Sequence, residues 1–309
     1  MSLVIIYPHR DVSDWIAALR KHAPALKVEV WPDIVEPDQV EFALCWNQPP
    51  GSLQQFPNLK CISSLGAGIN HLLNDLTRPR EVPLVRLVDD NLKQSMAEYV
   101  MAGVLEHFRH LKAYRRQQRE HLWEELKVSH ISELGVGIMG CGEIGGYVAD
   151  KLTDFGFSVQ GWSRTRQERD KFQVYAGHDE LGVFLGQTDV LVCLLPLTPE
   201  TENILNLDTF RQLPENAYLI NAARGAHLVD ADLLSALDRG LLSGALLDVF
   251  REEPLPQQHP FWKHDKIAVT PHIASPTNPD SAAEQIVANY HQVISDAPLR
   301  NIVDVECGY

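Results

Sequence analysis

The chain has 309 residues, of which 45% are hydrophobic and 22% charged, and a formal net charge of −14. That length exceeds what one ordinary core serves and points to two domains of about 100–200 residues each. The composition is that of a soluble globular protein, and its acidity excludes nucleic acid as a general partner, because like charges repel along a phosphate backbone.

An acidic chain that takes an anionic ligand needs cations placed locally, so arginines near a glycine-rich turn carry information here. The cysteines, Cys45, Cys61, Cys141, Cys193 and Cys307, form no CxxC pair and no His/Cys cluster with zinc spacing, so no metal site is expected. Scattered thiols in a chain of this size read as reduced and cytoplasmic. The apolar run at residues 3–7 is too short for a signal sequence and reads as a first strand. No apolar stretch approaches the ~20 residues needed to span a bilayer, so no membrane is expected as a partner.

Strands are expected at residues 3–7, 28–31, 42–46, 59–64 and 84–87, with a helix at 12–21. One long helix follows over about 92–118, where Met96, Tyr99, Val100, Gly103, Val104 and Phe108 recur at helical spacing. A second strand–helix series then begins at 136–139. It continues with a helix at 143–155 stopped by Gly156, strands at 158–162, 190–194, 218–221, 245–249 and 267–270, and a helix at 230–238. A last helix over about 280–295 is expected to return to the first domain. Alternating strands and helices imply parallel sheets, hence an α/β protein of two Rossmann-like or flavodoxin-like domains. The cofactor domain, 97–276, is expected to be inserted in a substrate domain formed by 1–96 and 277–309.

Gly140-Cys141-Gly142-Glu143-Ile144-Gly145 matches GxGxxG. The pattern alone is weak, but here it follows a predicted strand and opens a predicted helix, the context of a dinucleotide fingerprint. Gly140 makes the tight turn, Gly142 lets backbone amides approach a pyrophosphate, and Gly145 lets helix and strand pack closely. An acidic residue about 20 positions on would bond an adenosine 2′-hydroxyl and favour NAD. This chain instead reads Trp162-Ser163-Arg164-Thr165-Arg166. Two arginines and two hydroxyls suit a 2′-phosphate, because guanidinium pairs strongly with phosphate oxygens. NADPH is therefore the expected cofactor, with NADH the weaker alternative.

Several further motifs occur in order: Leu65-Gly66-Ala67-Gly68, Leu195-Pro196-Leu197-Thr198, Asn221-Ala222-Ala223-Arg224-Gly225, Leu247-Asp248-Val249-Phe250-Arg251-Glu252-Glu253-Pro254 and Thr270-Pro271-His272-Ile273-Ala274. With the glycine fingerprint they make the chain resemble the D-isomer-specific 2-hydroxyacid dehydrogenases over nearly its whole length. Within that family it looks most like bacterial reductases of glyoxylate and hydroxypyruvate, down to the terminal Gly308-Tyr309.

The resemblance implies a catalytic set of Arg224, Glu253 and His272 acting on a small 2-oxo acid. The chemistry asks for these residue types. A guanidinium fork can hold a carboxylate and polarise the adjacent carbonyl. Negative charge grows on that carbonyl oxygen during hydride addition, and a nearby cation stabilises it. The oxygen then needs a proton, which an imidazole can supply near neutral pH. Glu253 would bond the other ring nitrogen of His272 and orient it.

The resemblance also implies that Leu195, Pro196, Ala222 and Asp248 contact the cofactor, with Asp248 near the nicotinamide carboxamide. Ala67 and Gly68 are expected to offer backbone N–H groups to the substrate carboxylate. Trp46 is a candidate wall of the substrate pocket, and Trp123 another, reaching in from a neighbouring subunit. A homodimer is expected, with the helix at 92–118 as its contact. Closure of the two domains is expected, with hinges near residues 97 and 277. A nucleotide-dependent sensor or corepressor on the same fold remains an alternative, as does a dehydrogenase for another D-2-hydroxy acid.

Overall fold

The computed structural model describes residues 1–305, so Cys307 and the Gly308-Tyr309 terminus lie outside the described residues. The chain divides into two compact units. One is residues 1–92 with the segment from residue 276 on, and the other is residues 93–275. The first contains β1 (Ser2–Ile6), α1 (Ser13–His22), β2 (Lys27–Val30), β3 (Val40–Cys45), β4 (Cys61–Ser64), α2 (Asn70–Leu73) and β5 (Leu84–Val85). Helix α3 (Asp90–Phe108) carries the chain into the second unit. There follow α4 (Leu111–Arg119), β6 (Gly135–Met139), α5 (Glu143–Phe155), β7 (Ser158–Ser163), β8 (Gln173–Ala176) and α6 (Leu181–Leu185). Then come β9 (Val190–Cys193), α7 (Leu207–Phe210), β10 (Ala217–Asn221), α8 (Asp230–Asp238), β11 (Leu242–Leu247) and β12 (Ile267–Val269). Helix α9 (Pro279–Ser295) belongs to the first unit, where it packs against α1.

Both sheets are parallel throughout. In the first unit the order is β2-β1-β3-β4-β5. In the second it is β12-β11-β10-β9-β6-β7-β8, so the order reverses between β6 and β9. That reversal opens a crevice beyond the carboxyl ends of the strands, the place where such sheets bind ligands.

Strands buried on both faces explain the continuous apolar runs. Every residue of β1 is buried. In the second unit Val136, Ile138, Val190 and Val192 feed one core layer, while Met139, Leu191, Cys193 and Leu219 feed the other. Alternate side chains point to opposite faces, so one strand supplies both layers.

The expected helix over 92–118 is two helices. Val100 and Val104 are fully buried, and Gly103 lets α3 lie on Ile220 and Leu246, whose carbons would stand 3.1 and 2.6 Å from an added Cβ. The apolar repeat ends at Phe108. Beyond it no core face holds the next turn, His110 turns left-handed at φ 55°, and α4 runs on with only Gln117 buried. The reading from sequence also passed over β8, α6 and α7. Each is five residues or fewer, too short to show a period.

Candidate active site

The glycine turn between β6 and α5 has a separate steric reason at two of its glycines. Gly140 has φ 99°, and an added Cβ would meet the Leu194 carbonyl oxygen at 2.7 Å. At Gly145 the Cβ would stand 1.8 Å from the Gly140 carbonyl oxygen, so helix and turn touch there. At Gly142 it would meet nothing within 4 Å, and no side chain caps α5. First-turn amides facing open space at a helix N-terminus fit a pyrophosphate. The expected residues Glu143 and Ile144 open that first turn.

The turn is tied to β7, since Gly140 N–H donates to the Trp162 carbonyl at 2.8 Å. Ser163 ends β7, is buried, and donates its hydroxyl to the Thr165 carbonyl at 2.6 Å. It therefore stiffens the turn rather than pointing a free donor outward. Arg164 and Thr165 are exposed beyond it. Arg166, the other arginine of the expected pair, is held in an ion pair by Glu180. Glu180 also accepts the Ala176 N–H at 2.6 Å. The charge of Arg166 is thus matched by a carboxylate in this structure. Leu195 and Ala222, at the ends of β9 and β10, are buried.

The three expected catalytic residues follow three neighbouring strands, with Arg224 after β10, Glu253 after β11 and His272 after β12. His272 Nδ1 and Glu253 Oε2 are 2.7 Å apart, and the two side chains remain 40% and 35% exposed. Glu253 Oε1 accepts the Phe250 N–H at 2.9 Å. Burial pushes the Glu253 carboxyl up, but the bonds from His272 and Phe250, with the charges of His272 and Arg224, pull it below its ordinary value. Arg224 Nη1 donates to the Ala223 carbonyl at 2.6 Å. Burial lowers the guanidinium from its ordinary value, against the support of the Glu253 charge.

His272 has φ 56°, an uncommon conformation for a residue with a side chain. Its loop is held there by Asp248, which is 1% exposed. Asp248 Oδ1 accepts the Thr270 hydroxyl at 2.6 Å and the Ile273 N–H at 2.8 Å, and Oδ2 accepts the Ala274 N–H at 2.8 Å. Asp248 was expected at a nicotinamide. In this structure both of its oxygens also hold the loop carrying His272. Tyr99 of α3 extends the chain of bonds, with its hydroxyl 2.7 Å from Thr270 Oγ1.

Two residues outside the expected catalytic set complete the frame. His227 is fully buried. Its Nδ1 accepts the Arg224 N–H and its Nε2 donates to the Pro196 carbonyl, both at 3.2 Å. Burial pushes its pKa down to about 4, so the ring is neutral and ties the β9 loop to the backbone of Arg224. Arg251 donates Nε to the Leu228 carbonyl at 3.0 Å and Nη2 to the Ala226 carbonyl at 3.0 Å. It binds the Glu253 loop to the segment after Arg224.

In the first unit, Trp46 follows β3 and Ala67 and Gly68 follow β4. The Trp46 ring lies 4.7 Å from the His71 ring, and its Cζ3 would stand 2.9 Å from a Cβ on Gly66. Ser64 Oγ donates to the Gly68 carbonyl at 2.8 Å and shapes this turn. Trp123, in the second unit, is 98% exposed.

The sequence profile of the D-isomer specific 2-hydroxyacid dehydrogenase NAD binding domain matches residues 101–274. The chain is 40% identical over its full length to glyoxylate/hydroxypyruvate reductase A of Yersinia enterocolitica, again over that protein's full length. It is 41% identical to the protein of that name from Serratia proteamaculans, with both chains fully covered. Among solved structures, it superposes with a TM-score of 0.96 on a D-isomer specific 2-hydroxyacid dehydrogenase from Xanthobacter autotrophicus Py2 in complex with NADPH and MES. That protein is 38% identical, with 100% of this chain and 99% of that one covered. An NADPH-dependent glyoxylate/hydroxypyruvate reductase from Sinorhizobium meliloti, in complex with NADP and sulfate, gives a TM-score of 0.93 at 36% identity over 100% of both chains. With the fold, the glycine turn and the loop residues in place, the chain belongs to the D-isomer specific 2-hydroxyacid dehydrogenase family.

Proposed function

We propose that this chain is an NADPH-dependent reductase of small 2-oxo acids, converting glyoxylate to glycolate and hydroxypyruvate to D-glycerate. The observation that carries the reading is the His272–Glu253 pair at 2.7 Å beside Arg224, on loops at the carboxyl end of one parallel sheet. Likeness to reductases of that name supports the substrate class.

NADPH supplies the hydride that reduces the 2-oxo carbon. Arg224 binds the substrate carboxylate and polarises the carbonyl with its fork of donors. The same guanidinium stabilises the charge that grows on the carbonyl oxygen. Glu253 occupies Nδ1 of His272, which leaves Nε2 as the nitrogen that hands a proton to that oxygen. Ala67 and Gly68 are the residues proposed to offer backbone N–H groups to the carboxylate, and Trp46 is a further proposed substrate residue. The amides after Gly142 hold the pyrophosphate, and Arg164 with Thr165 binds the 2′-phosphate.

The protein acts in the cytoplasm as a homodimer. The dimer reading is supported by the exposed apolar side chains Leu111, Leu122 and Trp123, clustered in and after α4.

The test is oxidation of NADPH and of NADH by the purified protein with glyoxylate, hydroxypyruvate and pyruvate. Turnover with the first two, faster with NADPH, is expected. No turnover with any 2-oxo acid overturns the reading, and a preference for NADH overturns the cofactor assignment alone. His272→Asn tolerates the left-handed backbone and removes the acid, so kcat should fall by about 10²–10⁴-fold.

A further inference from the structure

The segment after β7 carries four basic residues, Arg164, Arg166, Arg169 and Lys171, and the fold treats them differently. Arg166 is paired with Glu180, and Lys171 is held by both oxygens of Asp154 at 2.6 and 2.8 Å. Among the described residues Arg169 meets only neutral groups. Its Nη2 donates to the Cys141 carbonyl at 2.7 Å and to Gln167 Oε1 at 3.3 Å.

Cys141 is the second residue of the glycine turn, so this cation is docked on the cofactor loop itself. The contact has a steric signature. A Cβ on Gly146 would stand 2.8 to 3.0 Å from three guanidinium atoms of Arg169. Gly146 lies just outside the fingerprint, and its missing side chain is what lets the guanidinium lie on the first turns of α5. The turn is also bound to the end of β7 through the bond from Gly140 to Trp162, so Arg169 stands at the corner from which Arg164 emerges. A guanidinium has five N–H donors, and these two bonds draw on only one of its nitrogens.

We propose that Arg169, and not Arg166, is the second cation that reads the 2′-phosphate of the cofactor, docked on the glycine turn through Cys141 and Gly146. The inference rests on the NADPH reading above. It adds a residue outside the stretch after Trp162 from which that reading was drawn. Two phosphate oxygens facing one uncompensated guanidinium form charge-assisted bonds that an adenosine 2′-hydroxyl cannot form.

The experiment is isothermal titration of the intact protein with NADP⁺, NAD⁺, adenosine 2′,5′-bisphosphate and 5′-AMP. Arg169→Met should weaken NADP⁺ and the bisphosphate by about tenfold or more, the scale of one lost bond to a charged group, and leave NAD⁺ and 5′-AMP within about twofold. Arg169→Lys should keep part of the discrimination, and Arg166→Met should keep all of it. Gly146→Ala alters no charge but displaces the guanidinium, so it should lower the same two affinities selectively. Equal losses for phosphorylated and unphosphorylated ligands would reduce Arg169 to a clamp on the loop and overturn the proposal. A larger phosphate-specific loss in Arg166→Met than in Arg169→Met overturns it too. Failure of the unaltered protein to bind any of the four ligands defeats the NADPH reading itself, a result distinct from loss of discrimination in a variant.

Discussion

Asp248→Asn tests whether the buried carboxylate holds the loop that presents His272. The carboxylate accepts three bonds at 2.6, 2.8 and 2.8 Å and is 1% exposed. An asparagine can keep its oxygen toward Thr270 and Ile273, but its amide nitrogen then faces the Ala274 N–H, donor against donor. Ala274 is itself buried, so water cannot relieve the mismatch. One bond to a charged group is lost, about 1.5–3 kcal/mol, and the other two weaken when the charge goes. The sum is on the order of 3 kcal/mol of stability. The same strain falls on a loop whose His272 already has φ 56°. Guanidinium-induced unfolding followed by circular dichroism reads the first effect. Steady-state kinetics with glyoxylate reads the second, with kcat expected to fall at least about tenfold as the acid is misplaced. Stability within about 0.5 kcal/mol of the parent, together with unchanged kcat, would refute the assignment of Asp248 as the anchor of this loop.

Three further outcomes are expected. Gly145→Ala would force a Cβ to 1.8 Å from the Gly140 carbonyl oxygen, so NADPH binding measured by fluorescence titration should be lost; retained affinity would mean the turn is not the cofactor cradle. Arg224→Lys keeps the charge but not the fork, and kcat/KM for glyoxylate should drop about 10²–10³-fold with NADPH affinity little changed. His227 is neutral in the native state with a pKa of about 4, whereas the unfolded chain protonates it near 6.5. Its contribution is therefore complete above about pH 6.5 and is lost as pH falls toward about 4, a total of about 3 kcal/mol. His227→Gln should flatten the dependence of unfolding free energy on pH in that window, and an unchanged slope would place the sensitivity elsewhere.

What could be read from the sequence was whatever depends on neighbours along the chain. The glycine turn is set by residues within one strand–turn–helix unit, and its spacing of Gly140, Gly142 and Gly145 is visible without a structure. The parallel α/β class follows from alternating strands and helices, and the continuous apolar strands follow from burial on both faces. The ordered loop motifs placed Arg224, Glu253 and His272 after strands, and the parallel sheet brings those strand ends to one edge.

What depended on partners distant in sequence was decided only by the tertiary structure. Arg164 and Arg166 look alike in sequence, but Glu180 comes to one of them through the short β8 and its following turn, which no period announced. That Asp248 also anchors the His272 loop shows only once the chain after β12 brings Thr270, Ile273 and Ala274 around it. The long apolar repeat after residue 92 continues into polar residues that favour a helix, so only the end of the core face at Phe108 and the left-handed His110 show where α3 stops. Arg169 has no signature at all until folding lays it across Gly146. Helix and strand periods are local and leave a trace in the sequence, whereas a hydrogen bond between side chains depends on which loops the topology brings together.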